Sequence, residues 1–286
     1  MLSYQHAYHA GNHADILKHY VLTFVLNSLN KKEKPYAFFD THSGSGLYNL
    51  FDSRLQKTGE GQKGIEKLLK QKDIPGELSL YVSLVKKYAA KGMYPGSPEI
   101  ERVLMRSYDS LILSELHPQE IINLKNNMTQ PLFESKGFCQ PKIHNRNGWE
   151  MLKALTPPPQ KRGAVLIDPS YEETADYEDA AKTIYEVHKK WSNAIIMLWY
   201  PLLVHRENEI EKMLDDINEA ARYDNANIEI SNLQLCVYSR DSSTENENLQ
   251  NKTRLYGSGM LVLNSPWKLL EEGNLVTDYL KKVFYN

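Results

Sequence analysis

Ala164-Val-Leu-Ile-Asp168-Pro169-Ser170-Tyr171 is the stretch from which the architecture can be read. Four apolar residues run up to an acidic one, and a proline then stops any strand ladder from continuing. A strand with no polar alternation is covered on both faces, as in a parallel sheet sandwiched between helices. Outward from it, similar runs recur at Tyr36–Asp40, Leu111–Glu115, Lys142–Asn145, Ala194–Tyr200, Ile228–Tyr238 and Gly259–Asn264, with helical stretches between them. This alternation predicts an α/β fold with a sheet of about seven strands joined by crossover helices. One interval breaks the rhythm. Between Asp40 and Leu111 the gap far exceeds the usual connection of about 4–6 residues. Inside it Leu78, Tyr81, Val85 and Tyr88 fall on one helical face. Residues 53–95 are therefore read as a small helical insertion after the first strand, and residues 1–52 with 96–286 as the sheet domain.

Composition sets bounds on function. The chain has 286 residues, 41% apolar and 24% charged, enough for one large domain with an insertion. Its 34 basic and 36 acidic residues give a formal charge of −2, so any nucleic-acid site must be a local patch. Two cysteines, Cys139 and Cys236, are too few for a disulfide framework or a Cys-based zinc site, and a reducing cytoplasm is expected. The first thirty residues carry four histidines in place of a basic start and an apolar core, so no signal peptide is expected. The apolar run from Ala194 to Val204 is interrupted by Pro201, which argues against a membrane span.

Ligands of open α/β sheets bind beyond the carboxyl ends of the strands. After the first strand, Thr41-His42-Ser43-Gly44-Ser45-Gly46 offers two glycines for a tight turn, without the full dinucleotide or phosphate-loop pattern. Glu115, ending the second strand, can accept two hydrogen bonds from a ribose diol. Asn147-Gly148-Trp149-Glu150 fits the start of a helix, with Asn147 as cap, while its amide could also meet an adenine edge. Asn12 or His13 opens a helix through Leu29 with Lys18 facing out. Ser97-Pro98 fits the cap and first position of another helix. His6, His9 and His13 stand three and four apart, but Gly11 and Asn12 interrupt that face and no metal site is expected.

Asp168-Pro169-Ser170-Tyr171 resembles the D-P-P-Y signature of methyltransferases acting on an exocyclic amine. An adenine N6 lone pair is delocalised into the ring. The amine must therefore be held with its N–H bonds on acceptors, which the Asp168 carboxylate and the Pro169 carbonyl can supply. The base must also leave its stack.

The opening segment makes the resemblance specific. Met1-Leu-Ser-Tyr4-Gln-His6-Ala-Tyr-His9-Ala-Gly11-Asn12-His13-Ala-Asp15-Ile-Leu-Lys18-His19, together with Tyr94-Pro95-Gly96-Ser97-Pro98, Ser114-Glu115-Leu116-His117-Pro118 and Leu198-Trp199-Tyr200-Pro201, is similar to the RlmJ family. These bacterial enzymes methylate N6 of an adenine in 23S ribosomal RNA. The resemblance implies a Rossmann-like sheet binding S-adenosylmethionine, with a helical insertion. It implies Asp168 as catalytic acceptor, with Pro169, and Tyr171 stacking on the base. Tyr4 and His6 would lie on a leading segment over the active site. Lys18, His19, His42 and Ser97 would meet the methionine end of the cofactor, Glu115 its ribose, and Asn147 with Gly148 its adenine; Asp168 borders the cofactor too. The chain departs from the family pattern in Ser170, where a second proline is usual, in Asn147, where Asp is frequent, and in Ser43 and Ser45, where Ala is more typical. The implied partner is 23S RNA, naked or in early assembly particles, met by a cytoplasmic monomer. Methylation of DNA adenine, or a nucleotide- or RNA-binding protein without catalysis, remain open alternatives. For the RNA surface, Lys31, Lys32, Lys34, Lys153, Lys161, Arg162, Lys189 and Lys190 lie at the amino ends of strands, away from the expected mouth. Arg240 and Arg254 are better placed.

Overall fold

Helices cover both faces of the sheet at its centre, which is why the strands at Tyr36–Asp40, Arg162–Ile167 and Ile195–Leu203 read as nearly continuous apolar runs. The computed structural model describes residues 5–130, 132–133, 137–240 and 255–285. In chain order its elements are α1 (His13–Asn30), β1 (Tyr36–Asp40), β2 (Leu47–Asn49), α2 (Ser53–Thr58), α3 (Lys67–Leu69), α4 (Ser79–Ala89), β3 (Met93–Pro95), α5 (Ser97–Leu104), β4 (Ser110–Ser114), α6 (Pro118–Thr129), β5 (Pro141–His144), α7 (Gly148–Leu155), β6 (Arg162–Ile167), α8 (Ala175–Lys190), β7 (Ile195–Leu203), α9 (Glu207–Asp224), β8 (Ile230–Cys236), β9 (Leu255–Leu263) and α10 (Leu269–Phe284).

The sheet has seven strands, the number the sequence predicts, in the order β5-β4-β1-β6-β7-β9-β8. Alternate residues of each strand feed opposite cores. Phe38, Ala164 and Leu166 pack with α1, α5, α6 and α10, whereas Ala37, Phe39, Val165 and Ile167 pack with α7, α8 and α9. The order β5-β4-β1-β6-β7 is parallel throughout, but β9 runs antiparallel between β7 and β8.

The insertion is held at its base by a feature the sequence reading missed. Strands β2 and β3, three residues each, pair antiparallel with Leu47 opposite Pro95 and Asn49 opposite Met93. Beyond that ribbon, Leu78, Tyr81, Val85 and Tyr88 are all buried, in the same cluster as α1. The insertion also meets the chain before α1 very closely: Ile65 N donates to Gly11 O at 2.7 Å, and a Cβ on Gly64 would lie 2.1 Å from that oxygen. Only glycine allows that approach.

Candidate active site

From β1 the chain moves to β4 and β5 on one side, and from β6 to β7 on the other. The carboxyl ends of β1 and β6 thus flank the switch in strand order, where an open sheet leaves a crevice. A cleft of about 450 Å³ lies there, lined among others by His6, Lys18, His42, Glu115, Asn147, Gly148, Asp168 and Pro169. That volume suits a small organic ligand. Eight of the residues singled out from sequence therefore converge on one cavity.

Asp168 stands immediately after β6 and is held from the first helix. Lys18 Nζ donates to Asp168 Oδ2 at 2.6 Å and pairs with Asp15 Oδ1 at 2.8 Å. Asp15 Oδ2 in turn accepts from His6 Nε2 at 2.8 Å and Gly11 N at 2.9 Å. Lys18 was expected to face out, yet it is only 4% exposed. Asp15 and Lys18 lie one turn apart on the face of α1 turned to the strand end, and Asn12 fixes that turn by accepting Asp15 N at 2.9 Å. Burial alone would lower the Lys18 ammonium and raise the Asp15 carboxyl. The opposite charges prevail, so Lys18 is held above its ordinary range and Asp15 well below. Asp15 was not singled out from sequence; its signal was an acid three residues before the lysine. Asp168 Oδ1 accepts no hydrogen bond among the described residues and is available to a substrate donor.

The β1 side is built on a second carboxyl. Asp40 is buried, its Oδ1 accepting His42 N at 3.1 Å and its Oδ2 accepting Ser97 Oγ at 2.7 Å. Burial, with a further contribution from Asp168, pushes Asp40 up to about 7 despite the Ser97 bond. Glu101 is raised well above its usual range by burial and by the neighbouring Asp40, and neither of its buried carboxyl oxygens has a hydrogen-bond partner among the described residues. Ser97 was expected beside the cofactor. It is instead the first residue of α5, capped by Gly96, and its buried hydroxyl turns to Asp40 rather than the cleft.

Two further expectations are corrected. His19 does not line the cleft: one residue past Lys18 it points about 100° round α1, where its Nδ1 meets Tyr94 Oη at 2.8 Å. Burial lowers it to about 3. Tyr171 does not offer its ring to a base. At φ +53° the chain turns back onto the sheet, the ring lies 4.6 Å from that of Tyr177, and the hydroxyl donates to Trp199 O at 3.0 Å. Ser170 and the indole of Trp199 line the cleft in its place, and Trp199 Nε1 has no partner among the described residues. From sequence Trp199 stood only as part of the Leu198-Trp199-Tyr200-Pro201 motif and was given no role, because it reaches the cleft from β7. Tyr4 lies outside the described residues.

Glu115, Gly44, Asn147, Gly148 and His42 line the same cleft. Glu115 Oε2 accepts Gly44 N and Oε1 accepts His117 N, both at 2.7 Å, leaving a lone pair on each oxygen for a diol. Gly44 and Gly46 turn at φ +58° and +73°. Asn147 caps α7, its Oδ1 accepting Trp149 N at 2.9 Å, and its amide nitrogen is uncommitted among the described residues. Gly148 lets α7 start against β1: a Cβ there would lie 2.2 Å from Thr41 O. The His42 ring meets the Trp149 edge at 5.0 Å, and burial lowers it to about 4, so it is neutral at pH 7. Neither His42 nor the doubly paired Lys18 is a free cation for a ligand carboxylate.

The family model described as ribosomal RNA large subunit methyltransferase D, RlmJ, matches residues 33–286. The chain belongs to the RlmJ family. It is 37% identical over 283 residues to the ribosomal RNA large subunit methyltransferase J of Escherichia coli K12, covering 98% of this chain and 93% of that one. The enzyme of the same name from Haemophilus influenzae is 37% identical over 287 residues, covering 99% and 94%. A crystallised protein from Legionella pneumophila, 31% identical, superposes with a TM-score of 0.81 over 96% of this chain and 94% of its own. The cleft fits the S-adenosylmethionine that an RlmJ methyltransferase uses. Glu115 has acceptors left for the ribose, Asn147 an amide nitrogen with Trp149 and Leu116 beside it for the adenine, and His42 and Gly44 lie on the β1 side.

Proposed function

We propose that this protein transfers a methyl group from S-adenosylmethionine to N6 of an adenine in 23S ribosomal RNA. It acts in the cytoplasm as a monomer, on RNA that is naked or in early assembly particles, where the base can be extruded. The observation that carries the reading is Asp168 at the tip of β6, with one carboxylate oxygen anchored by Lys18 and the other open to the cleft. The bound cofactor supplies the electrophilic methyl. The chain supplies the hold on the nucleophile: Asp168 Oδ1 and the Pro169 carbonyl accept the amine's N–H bonds, drawing its lone pair out of conjugation. The proton lost from nitrogen leaves through the same carboxylate to water. Such fixed acceptors act where charge develops, so they lower the barrier with little reorganisation.

Incubating deproteinised 23S RNA with the protein and labelled S-adenosylmethionine should yield label in N6-methyladenosine after nucleoside digestion. Asp168→Ala should abolish that label while leaving cofactor affinity within about tenfold. Label in DNA alone, or equal loss of cofactor binding and turnover, would overturn the reading.

A further inference from the structure

Charge is strongly segregated along this chain. Residues 53–95 hold nine Lys and Arg against four Asp and Glu, a formal +5, so the remainder of a chain of total −2 carries −7. The cleft shares that acidity, with Asp15, Glu60, Glu115, Glu120, Glu172 and Asp176 on its walls besides Asp168. A polyanion that delivers a base into such a cleft must have its phosphates neutralised elsewhere. Arg240, favoured from sequence, is bonded to Glu207 at the start of α9, and Arg254 lies outside the described residues.

We infer that the base of the inserted helices, around Phe51, Arg54, Lys57 and Lys91, is the surface on which the RNA strand flanking the target docks. This rests on the RNA reading above. Phe51 is 76% exposed, although it is a large apolar side chain between β2 and α2. Its ring covers Gly92, where a Cβ would lie 2.5 Å from it, and Lys91 is therefore adjacent. Gln56 Nε2 donates to Leu50 O at 2.7 Å, folding α2 back to the same place, and Arg54 and Lys57 share one face of that helix. Lys57 and Lys91 are exposed and form no ion pair among the described residues. Arg54 is paired with Asp52 at 2.8 Å, so the cations beside the ring with no ion pair among the described residues are Lys57 and Lys91, and that combination matches single-stranded nucleic acid, whose bases stack while its phosphates pair. The patch adjoins the cleft, because Arg54 Nη1 donates to Gln5 Oε1 at 3.0 Å and His6, the next residue, lines the cavity.

The test is methyl transfer to deproteinised 23S RNA at several KCl concentrations, with calorimetric titration of S-adenosylmethionine as control. Lys57→Gln/Lys91→Gln should raise KM for RNA about tenfold, leave kcat within about twofold, and flatten the plot of log affinity against log salt by about 1.5. Phe51→Ala should raise KM about tenfold without changing that slope. Cofactor affinity should stay as in the unaltered protein. Unaltered KM and slope, or the same change from Lys31→Gln/Lys34→Gln at the opposite end of the sheet, would overturn the inference. Defects seen on ribosomal particles but not on naked RNA would overturn it too and assign the surface to a protein. Failure of the unaltered protein to label RNA at all would instead remove the RNA reading on which it rests.

Discussion

Lys18 is the residue on which two carboxylates depend, the buried Asp15 and the partly exposed Asp168, and the two ends of its contacts behave differently under substitution. Lys18→Met leaves Asp15 and Asp168 without their shared cation in a site where Lys18 and Asp15 are almost wholly buried. Removing one partner of a buried pair costs about 3–5 kcal/mol, so urea unfolding at pH 7 should show a loss near the lower figure. A loss below about 1 kcal/mol would mean that the ammonium does not stabilise the fold. Asp168→Ala leaves Lys18 paired with Asp15 and should unfold close to the unaltered midpoint, which separates catalysis from stability at this position. None of this was legible in the helix alone. A lysine at a periodic position reads as solvent-facing, and the partner that draws Lys18 inward lies 150 residues further along the chain. The same limit applies to Ser97, His19 and Tyr171. Sequence adjacency to a motif residue does not say which side of the strand end a side chain takes, and a buried hydrogen bond to Asp40, Tyr94 or the Trp199 carbonyl decided it in each case.

At the level of elements, the close contact between α7 and the end of β1 is a sharp constraint. Gly148→Ala places a methyl against the Thr41 backbone, which cannot yield as a flexible side chain would. The expected result is a loss of about 1–3 kcal/mol in thermal unfolding, with weaker S-adenosylmethionine binding because Asn147 and Trp149 move with the helix. A variant of unchanged stability and affinity would show that α7 shifts freely. Strands β1, β6 and β7 were legible because burial on both faces leaves nearly continuous apolar runs, and β8 because its buried and exposed residues alternate. The direction of β9 was not, since side-chain pattern is the same for either sense of pairing. Strands β2 and β3 were invisible because three residues are too few to show alternation.

For the molecule as a whole, proton uptake should govern acid stability. Burial holds His13 at about 4, His19 at about 3 and His42 at about 4, whereas each would titrate near 6.5 once unfolded. Between pH 6.5 and 4 the unfolded chain therefore binds protons that the native state refuses, and stability falls. Asp40, raised to about 7, works in the other direction by holding a proton in the native state. His9 adds to that opposition, since Glu60 raises it although burial pulls it down. Glu101, raised well above its usual range by burial, opposes them in the same way, so the histidine contribution is read by substitution: from pH 7 to pH 5 the urea midpoint of His13→Gln should fall less, or rise more, than that of the unaltered protein, and an identical change would overturn the assignment. The little ribbon of β2 and β3 bears on how such a protein can diverge. It brings Asn49 and Met93 together although more than forty residues separate them, so the chain leaves and re-enters at one point. Descendants of this sequence can lengthen, shorten or recharge the outboard loops, keeping the face that packs on α1, while the distance from Asp40 to Ser97 stays as it is.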